Sequence, residues 1–268
     1  MNLPKNDFLP ELFLAVEAAK TAGDAVLVIY KTDFDVAEKE PGQLITLADT
    51  DADAVIHAML RKTGYPILSE ESADDFVRLQ AERVWIIDPL DGTADFVEKT
   101  GEFSIMIALI ENHEPIIGVV YAPATDTLYV AEKGKGAFCC THGGWNQIYV
   151  SNTAQMPSAK AVTSRHHFTE EEHNILDALE VGEFIQKGSA GLKIADIAQG
   201  SADFYFTLTN QIKQWDTAAG YCILAEAGGC MTDMQGNALI YNTEDVYHKN
   251  GILVTNSVLH SVVLQSYA

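Results

Sequence analysis

A layered α/β fold is predicted for this chain by three observations. Segments with helical and strand periodicity alternate along its 268 residues. The stretch from residue 104 to 150 is strand pattern almost throughout, and a buried-strand run at residues 84–87 ends in two closely spaced carboxylates. The texture changes again near residues 151–160, which divides the chain into two closely packed halves: an α+β half, 1–150, and an α/β half, 151–268.

The elements follow in order. Residues 11–30 set Leu12, Phe13, Val16, Ala19, Gly23, Val26 and Leu27 on one face and predict an amphipathic helix. Residues 43–47 read as a short strand. Residues 51–62 predict a helix that buries Ala54, Val55, Ala58 and Met59 and ends at Gly64. A second short strand, 65–68, leads into Ser69-Glu70-Glu71. Residues 104–110, 115–121 and 127–132 are strands separated by turn signals, and Gly134-Lys135-Gly136 and Gly143-Gly144 punctuate a further pair that reaches Val150. In the second half, 161–164 is a strand and 169–180 a helix, with Thr169 as N-cap and Glu172 at its third position. A short apolar helix at 192–199 closes at Gly200. Residues 202–207 are a strand, and the helix at 217–227 stops at Gly228-Gly229.

Composition excludes several classes of function. A hydrophobic content of 47% excludes disorder, and no apolar run approaches the roughly 18–20 residues that span a membrane. The first ten residues have no apolar core of a secretory signal. Cys139 and Cys140 are adjacent, an awkward geometry for a bridge, and Cys222 and Cys230 show no metal-type spacing; packing thiols in a reducing cytoplasm are expected. A net charge of −21 argues against a nucleic-acid polymer as partner. It also opposes an anionic substrate, unless bound cations offset it locally.

The strongest chemical signal is Val84-Trp85-Ile86-Ile87-Asp88-Pro89-Leu90-Asp91-Gly92-Thr93. A buried strand ends abruptly in Asp88 and Asp91, with Pro89 stiffening the bend between them. Gly92 permits close approach of a ligand to the backbone, and Thr93 can cap a helix that begins there. Hard oxygen ligands beside free N–H groups suit Mg²⁺ and phosphate. Acidic signals recur at Thr46-Leu47-Ala48-Asp49, Glu70-Glu71 and Trp215-Asp216. Carboxylates that emerge from core strands are costly unless they meet a cation. Asp51, Asp53 and Asp95 are read as structural, and Glu71 rivals Glu70 as the ligand.

These residues, with Phe96, Gly101-Glu102-Phe103-Ser104, Gly118-Val-Val-Tyr-Ala-Pro123 and Trp215-Asp-Thr-Ala-Ala219, resemble the inositol monophosphatase superfamily. Within it they are most similar to the CysQ-type 3′(2′),5′-bisphosphate nucleotidases. The resemblance covers residues 10–256 and implies an αβαβα sugar-phosphatase-like fold. It implies two or three Mg²⁺ ions held by Glu70, Asp88, Asp91, Asp216 and the Leu90 carbonyl, with the second half completing the metal site and the substrate pocket. Glu70 and Thr93 would hold the attacking water, and Asp49 would orient the Thr93 hydroxyl. Asp91, Gly92, Thr93 and Asp216 would contact the substrate. Lithium sensitivity is common in the family.

Arg165, in Ser164-Arg165-His166-His167, and Lys193, which opens a helix after Gly188-Ser189, are the candidates for a distal phosphate. The run Asn210-Gln-Ile-Lys213-Gln214 departs from the Pro-Met-Glu-like run common in that branch. Gln199 and the Ser189-Ala190-Gly191 loop depart from it too. The expected activity is Mg²⁺-dependent hydrolysis of the 3′-phosphate of adenosine 3′,5′-bisphosphate, with PAPS as a further substrate. Inositol-1-monophosphatase and fructose-1,6-bisphosphatase activities are the alternatives in the same class. A non-catalytic phosphometabolite or metal-binding protein is the alternative outside it. The expected partner is a small phosphorylated metabolite, and the expected state is monomer or homodimer.

Overall fold

Helix α1 (Pro10–Tyr30) begins on a proline that needs no N–H partner in the first turn. It buries Leu12, Ala15, Val16, Ala19, Ala22 and Val26 on one face. Half of these are alanines, which lets helix α2 (Leu47–Leu60) lie closely against it. The computed structural model describes residues 3, 4 and 7–267. Between these helices runs an antiparallel hairpin, β1 (Val36–Glu40) and β2 (Gln43–Thr46). All of β1 is exposed, so its sequence lacks an apolar face, and only β2 is legible as strand.

Helix α2 starts four residues earlier than its apolar pattern suggests. Thr46 caps it, and the Asp49 carboxylate reaches back to the Thr46 backbone N–H at 2.7 Å and to its hydroxyl at 2.7 Å. A seven-stranded sheet comes next in chain order: β3 (Ile67–Ser69), β4 (Arg83–Asp91), β5 (Ser104–Glu111), β6 (Glu114–Ala122), β7 (Thr127–Glu132), β8 (Gly136–Thr141) and β9 (Gly144–Gln147). Only the β3–β4 pair is parallel. A short helix, α3 (Thr93–Val97), lies between β4 and β5.

The second sheet has the order β11-β10-β12-β14-β13, formed by β10 (Lys160–Ser164), β11 (Glu183–Lys187), β12 (Phe204–Thr207), β13 (Cys230–Thr232) and β14 (Ile252–Thr255). Helices α4 (Glu170–Ala178), α5 (Ala190–Ala198), α6 (Ala218–Glu226) and α7 (His260–Tyr267) complete the chain. Strand alternation sorts side chains between layers. Trp85, Ile87, Ile105 and Ile107 pack with α1 and α2, whereas Ile86, Met106 and Ala108 pack with Leu192 and Ile194 of α5 and Ile223 of α6. Val162, Tyr205 and Val254 close that middle layer from the second sheet. Phe204, Phe206 and Leu253 face outwards to Leu176 of α4 and Val263 of α7. The layering is therefore αβαβα.

One close contact fixes the middle layer. A Cβ on Gly118 of β6 would stand 2.3 Å from the Ala219 carbonyl oxygen of α6, so backbone meets backbone there. None of the four cysteines forms a disulfide. Among the described residues no helix is long and apolar enough to cross a membrane.

Strand β4 corrects one expectation. It does not stop at Asp88 but continues to Asp91, with a register shift between the two. Asp88 lies opposite Met106 and Asp91 opposite Ser104, so Pro89 and Leu90 together oppose Ile105 alone. In a regular strand, residues three apart point to opposite faces. The bulge at Pro89, which has no N–H for the ladder, returns both aspartates to the face that looks at α5 and α6.

Candidate active site

Glu70 comes directly after β3, Asp88 lies in β4, and Asp216 ends a helical turn (Gln214–Asp216) that enters α6. One carboxylate oxygen from each lies within 4.8 Å of the others. At an effective dielectric near 20, each such pair repels by roughly 3 kcal/mol or more. Burial, and then the charges of Glu70, Asp91 and Asp216, hold the Asp88 carboxyl well above the usual aspartate range. Burial and Glu70 push Asp216 up to about 8. Lys39 of β1 partly answers this charge, with its ammonium 2.9 Å from Glu70 and 2.6 Å from Glu71. No lysine or arginine forms an ion pair with Asp88 or Asp216 among the described residues. An all-oxygen donor set with uncompensated negative charge fits a hard divalent cation. Glu71 stays outside the cluster, held by Lys39 and by its own N–H to the Ser69 hydroxyl at 3.3 Å.

Asp91 is gripped differently. Its Oδ1 accepts the Ala190 N–H at 3.0 Å. Its Oδ2 accepts the Gly191 N–H at 2.8 Å, the Ser104 hydroxyl at 3.1 Å and the Ser189 hydroxyl. The carboxylate thus sits on the N-terminus of α5, where the helix dipole favours negative charge. Ser189 caps the same helix through the Leu192 N–H at 3.1 Å, at a φ of +54°.

The turn after β4 completes the set. Gly92 has a φ of +91°, and a Cβ there would press on the Glu102 carbonyl oxygen at 3.0 Å. Thr93 donates its hydroxyl to Asp49 Oδ1 at 2.9 Å, with the Leu90 carbonyl oxygen 3.2 Å away. Burial raises the Asp49 carboxyl, and hydrogen bonds from Thr46 and Thr93 act against that rise. Asp49 therefore ties the start of α2 to the start of α3.

Among the described residues, Arg165 and Lys193 form no ion pair with Glu70, Asp88 or Asp216. The Arg165 guanidinium lies 3.0 Å from Asp95 Oδ1 and also binds Glu102. Lys193 is 4% exposed, with its ammonium 5.2 Å from the centre of the Tyr205 ring. Burial lowers its basicity, against the charges of Asp91 and Asp95.

Asp53 and Asp95, read as structural, hold parts of the site through contacts that the sequence does not reveal. Asp53 takes the Ser69 hydroxyl at 2.5 Å and the Ser72 hydroxyl at 2.8 Å, and so holds both ends of the segment that carries Glu70. Burial alone would raise its pKa; His57, Ser69 and Ser72 together hold it below the usual range. Asp95, 1% exposed, collects Arg165, His166 and Thr100, and Glu102 accepts the Gly188 N–H at 2.8 Å. The Asp53–His57 spacing of one helical turn was the only local clue.

Behind Asp216, the Thr217 hydroxyl meets His248 Nε2 at 2.9 Å and accepts from Tyr241 at 3.1 Å. Burial lowers His248 to about 4, from 6.5 in the unfolded chain. A depressed histidine contributes stability that is fully present above pH 6.5 and is lost as pH falls towards 4. The shift corresponds to about 3 kcal/mol. Denaturant melts of wild type and His248→Gln from pH 7 to 4 should show wild type losing stability relative to the variant by about that amount; parallel curves would refute the assignment.

A cleft of about 210 Å³ opens beside Glu70, with Lys39, Glu40, Gln43, Lys213, Trp215 and Tyr247 among its lining residues. Lys213 also donates its backbone N–H to Asp216 at 2.7 Å.

Known proteins resemble this chain over most of its length. The model of the inositol monophosphatase family matches residues 9–267. The 3′(2′),5′-bisphosphate nucleotidase CysQ of Escherichia coli K12 is 38% identical over 246 residues, covering 89% of this chain and 97% of that protein. The fructose-1,6-bisphosphatase/inositol-1-monophosphatase of Thermotoga maritima is 33% identical over 257 residues, covering 90% and 89%. Among solved structures, CysQ from Bacteroides thetaiotaomicron superposes with a TM-score of 0.81 at 33% identity, over 94% of this chain and 98% of that one. The suhB protein of Bartonella henselae gives 0.85 at 28% identity, over 96% and 98%. This chain belongs to the inositol monophosphatase family, a family of metal-dependent phosphatases.

Proposed function

We propose that the chain is a Mg²⁺-dependent phosphomonoesterase that removes the 3′-phosphate of adenosine 3′,5′-bisphosphate, with PAPS as a second substrate. The observation that carries this reading is the convergence of Glu70, Asp88 and Asp216, from three separate elements, within 4.8 Å. The choice of substrate rests on likeness to the CysQ proteins. Glu70, Asp88, Asp91, Asp216 and the Leu90 carbonyl are the proposed ligands for two or three ions. Bound there, the metal would supply Lewis-acid activation and offset of phosphate charge.

The chain's own residues do the rest. Thr93 commits its single hydroxyl proton to Asp49, so its oxygen lone pairs are left to accept a hydrogen bond from the attacking water. Glu70 accepts the second proton of that water and orients it. Gly92 and Thr93 present backbone N–H groups to the phosphate, from a turn whose positive φ at Gly92 favours glycine. Four cysteines without a disulfide suit the reducing cytoplasm, where we place the reaction.

Phosphate release should be measured across bisphosphorylated nucleosides, inositol phosphates and fructose bisphosphate. Adenosine 3′,5′-bisphosphate is expected to lead. A clear preference for inositol monophosphate would favour the activity named for the Thermotoga relative. Chelator should abolish turnover and Mg²⁺ restore it, with inhibition by lithium. Full activity in chelator after dialysis would refute the reading.

A further inference from the structure

We infer that the cleft beside Glu70, walled by Lys213, Trp215 and Tyr247, seats the second anionic group of the substrate. The inference rests on the phosphatase reading and names the part of the substrate that the metal ligands do not touch.

Three observations converge on Lys213. Its ammonium lies 5.1 Å from the Trp215 ring and 5.7 Å from the Tyr247 ring, so two aromatic faces hold it in place of a carboxylate. The chain has 38 acidic residues against 17 lysines and arginines. Against that excess, a half-buried lysine that forms no ion pair among the described residues keeps its charge for something else. All three ammonium protons remain donors.

The second observation is position. Glu70 and Lys213 line the same cleft, and the Lys213 backbone holds Asp216 at 2.7 Å. An anion in the cleft therefore lies next to the carboxylate cluster, as a second phosphate on the same small molecule must. A volume of about 210 Å³ falls short of the roughly 300–1,000 Å³ that encloses a drug-sized ligand, so the cleft fits one substituent of the substrate.

The third is the state of the other cations. Lys39, on the same cleft, is offset by Glu70 and Glu71, Arg165 is offset by Asp95 and Glu102, and Lys193 is buried under Tyr205. Lys213 also lies in the run where the sequence leaves the pattern of its branch, so this seat is a property of this chain.

The test compares kcat/KM for adenosine 3′,5′-bisphosphate with that for adenosine 3′-monophosphate. Wild type should prefer the bisphosphate. In Lys213→Gln that preference should fall by about 10-fold or more, and Lys213→Arg should keep most of it. An unchanged preference in Lys213→Gln, or a wild type indifferent to the second phosphate, overturns the inference while leaving phosphatase activity standing. A loss of preference in Arg165→Gln or Lys193→Gln but not in Lys213→Gln places the second phosphate elsewhere and overturns it as well. If wild type hydrolyses neither nucleotide, the functional reading fails. Calorimetric affinities of the Mg²⁺-loaded protein for the same two nucleotides, with and without Lys213→Gln, then decide the inference by the same ratio.

Discussion

Asp88→Asn is expected to lower kcat by at least about 10³-fold while raising the melting temperature of the chelated protein. The two effects share one cause. Asp88 is 2% exposed and shares its site with Glu70 and Asp216, whose oxygens lie within 4.8 Å. Without a cation, the folded protein either bears roughly 3 kcal/mol of repulsion per ionised neighbour or takes up protons to relieve it, and both cost stability. An asparagine removes that cost and still accepts the Leu90 N–H that Asp88 takes at 3.0 Å. A protein of this size gains about 2–4 °C per kcal/mol, so a rise of several degrees is expected. The same substitution removes charge from the cation site, so stabilisation by Mg²⁺ should shrink. Melting curves with chelator and with Mg²⁺, read beside turnover, separate this from general damage, which would lower both. Near-normal turnover, or an undiminished response to Mg²⁺, would remove Asp88 from the centre.

The second large effect is expected at Thr93. Thr93→Ala deletes the hydroxyl bound to Asp49 at 2.9 Å and leaves every carboxylate of the cluster in place. A loss of about 10²–10⁴-fold in kcat is expected, with Mg²⁺ affinity by calorimetry within a few-fold of wild type. Thr93→Ser keeps the hydroxyl and should recover most of the rate. Asp49 is a poorer probe. Its other oxygen closes the cap of α2 through Thr46 at 2.7 Å, so removing it also costs a helix cap, worth about 1 kcal/mol. Full activity in Thr93→Ala would mean that the water is oriented by another group.

The chemistry was readable in the sequence wherever its signal was local. Asp88, Pro89, Asp91, Gly92 and Thr93 are contiguous, and their residue types state what the turn can do. What joins Asp88 and Asp91 on one face is a register shift against β5, which exists only once Ile105 lies opposite both Pro89 and Leu90. Partners remote in sequence were equally hidden. Asp53 supports the Glu70 segment from 16 and 19 residues away, and Asp95 meets Arg165 across 70. Lys39 was lost for another reason: it lies on an all-exposed strand with no apolar alternation to mark it. Strand β14 and helix α7 went unread because a four-residue strand and a short C-terminal helix lack the length that periodicity needs.

The backbone contact between Gly118 and Ala219 bears on how much order a ligand must create. No side chain lies between β6 and α6 at that point, so their separation has no rotamer to sample. Asp216 sits two residues before the start of that helix, and Asp88 lies in the same sheet two strands away. Thermal fluctuation of one aspartate against the other is therefore restricted by hard atomic contact before anything binds. A cation entering between them surrenders its own freedom but little of the protein's, and that small entropic debt lets a mostly solvated ion be held by a few oxygens.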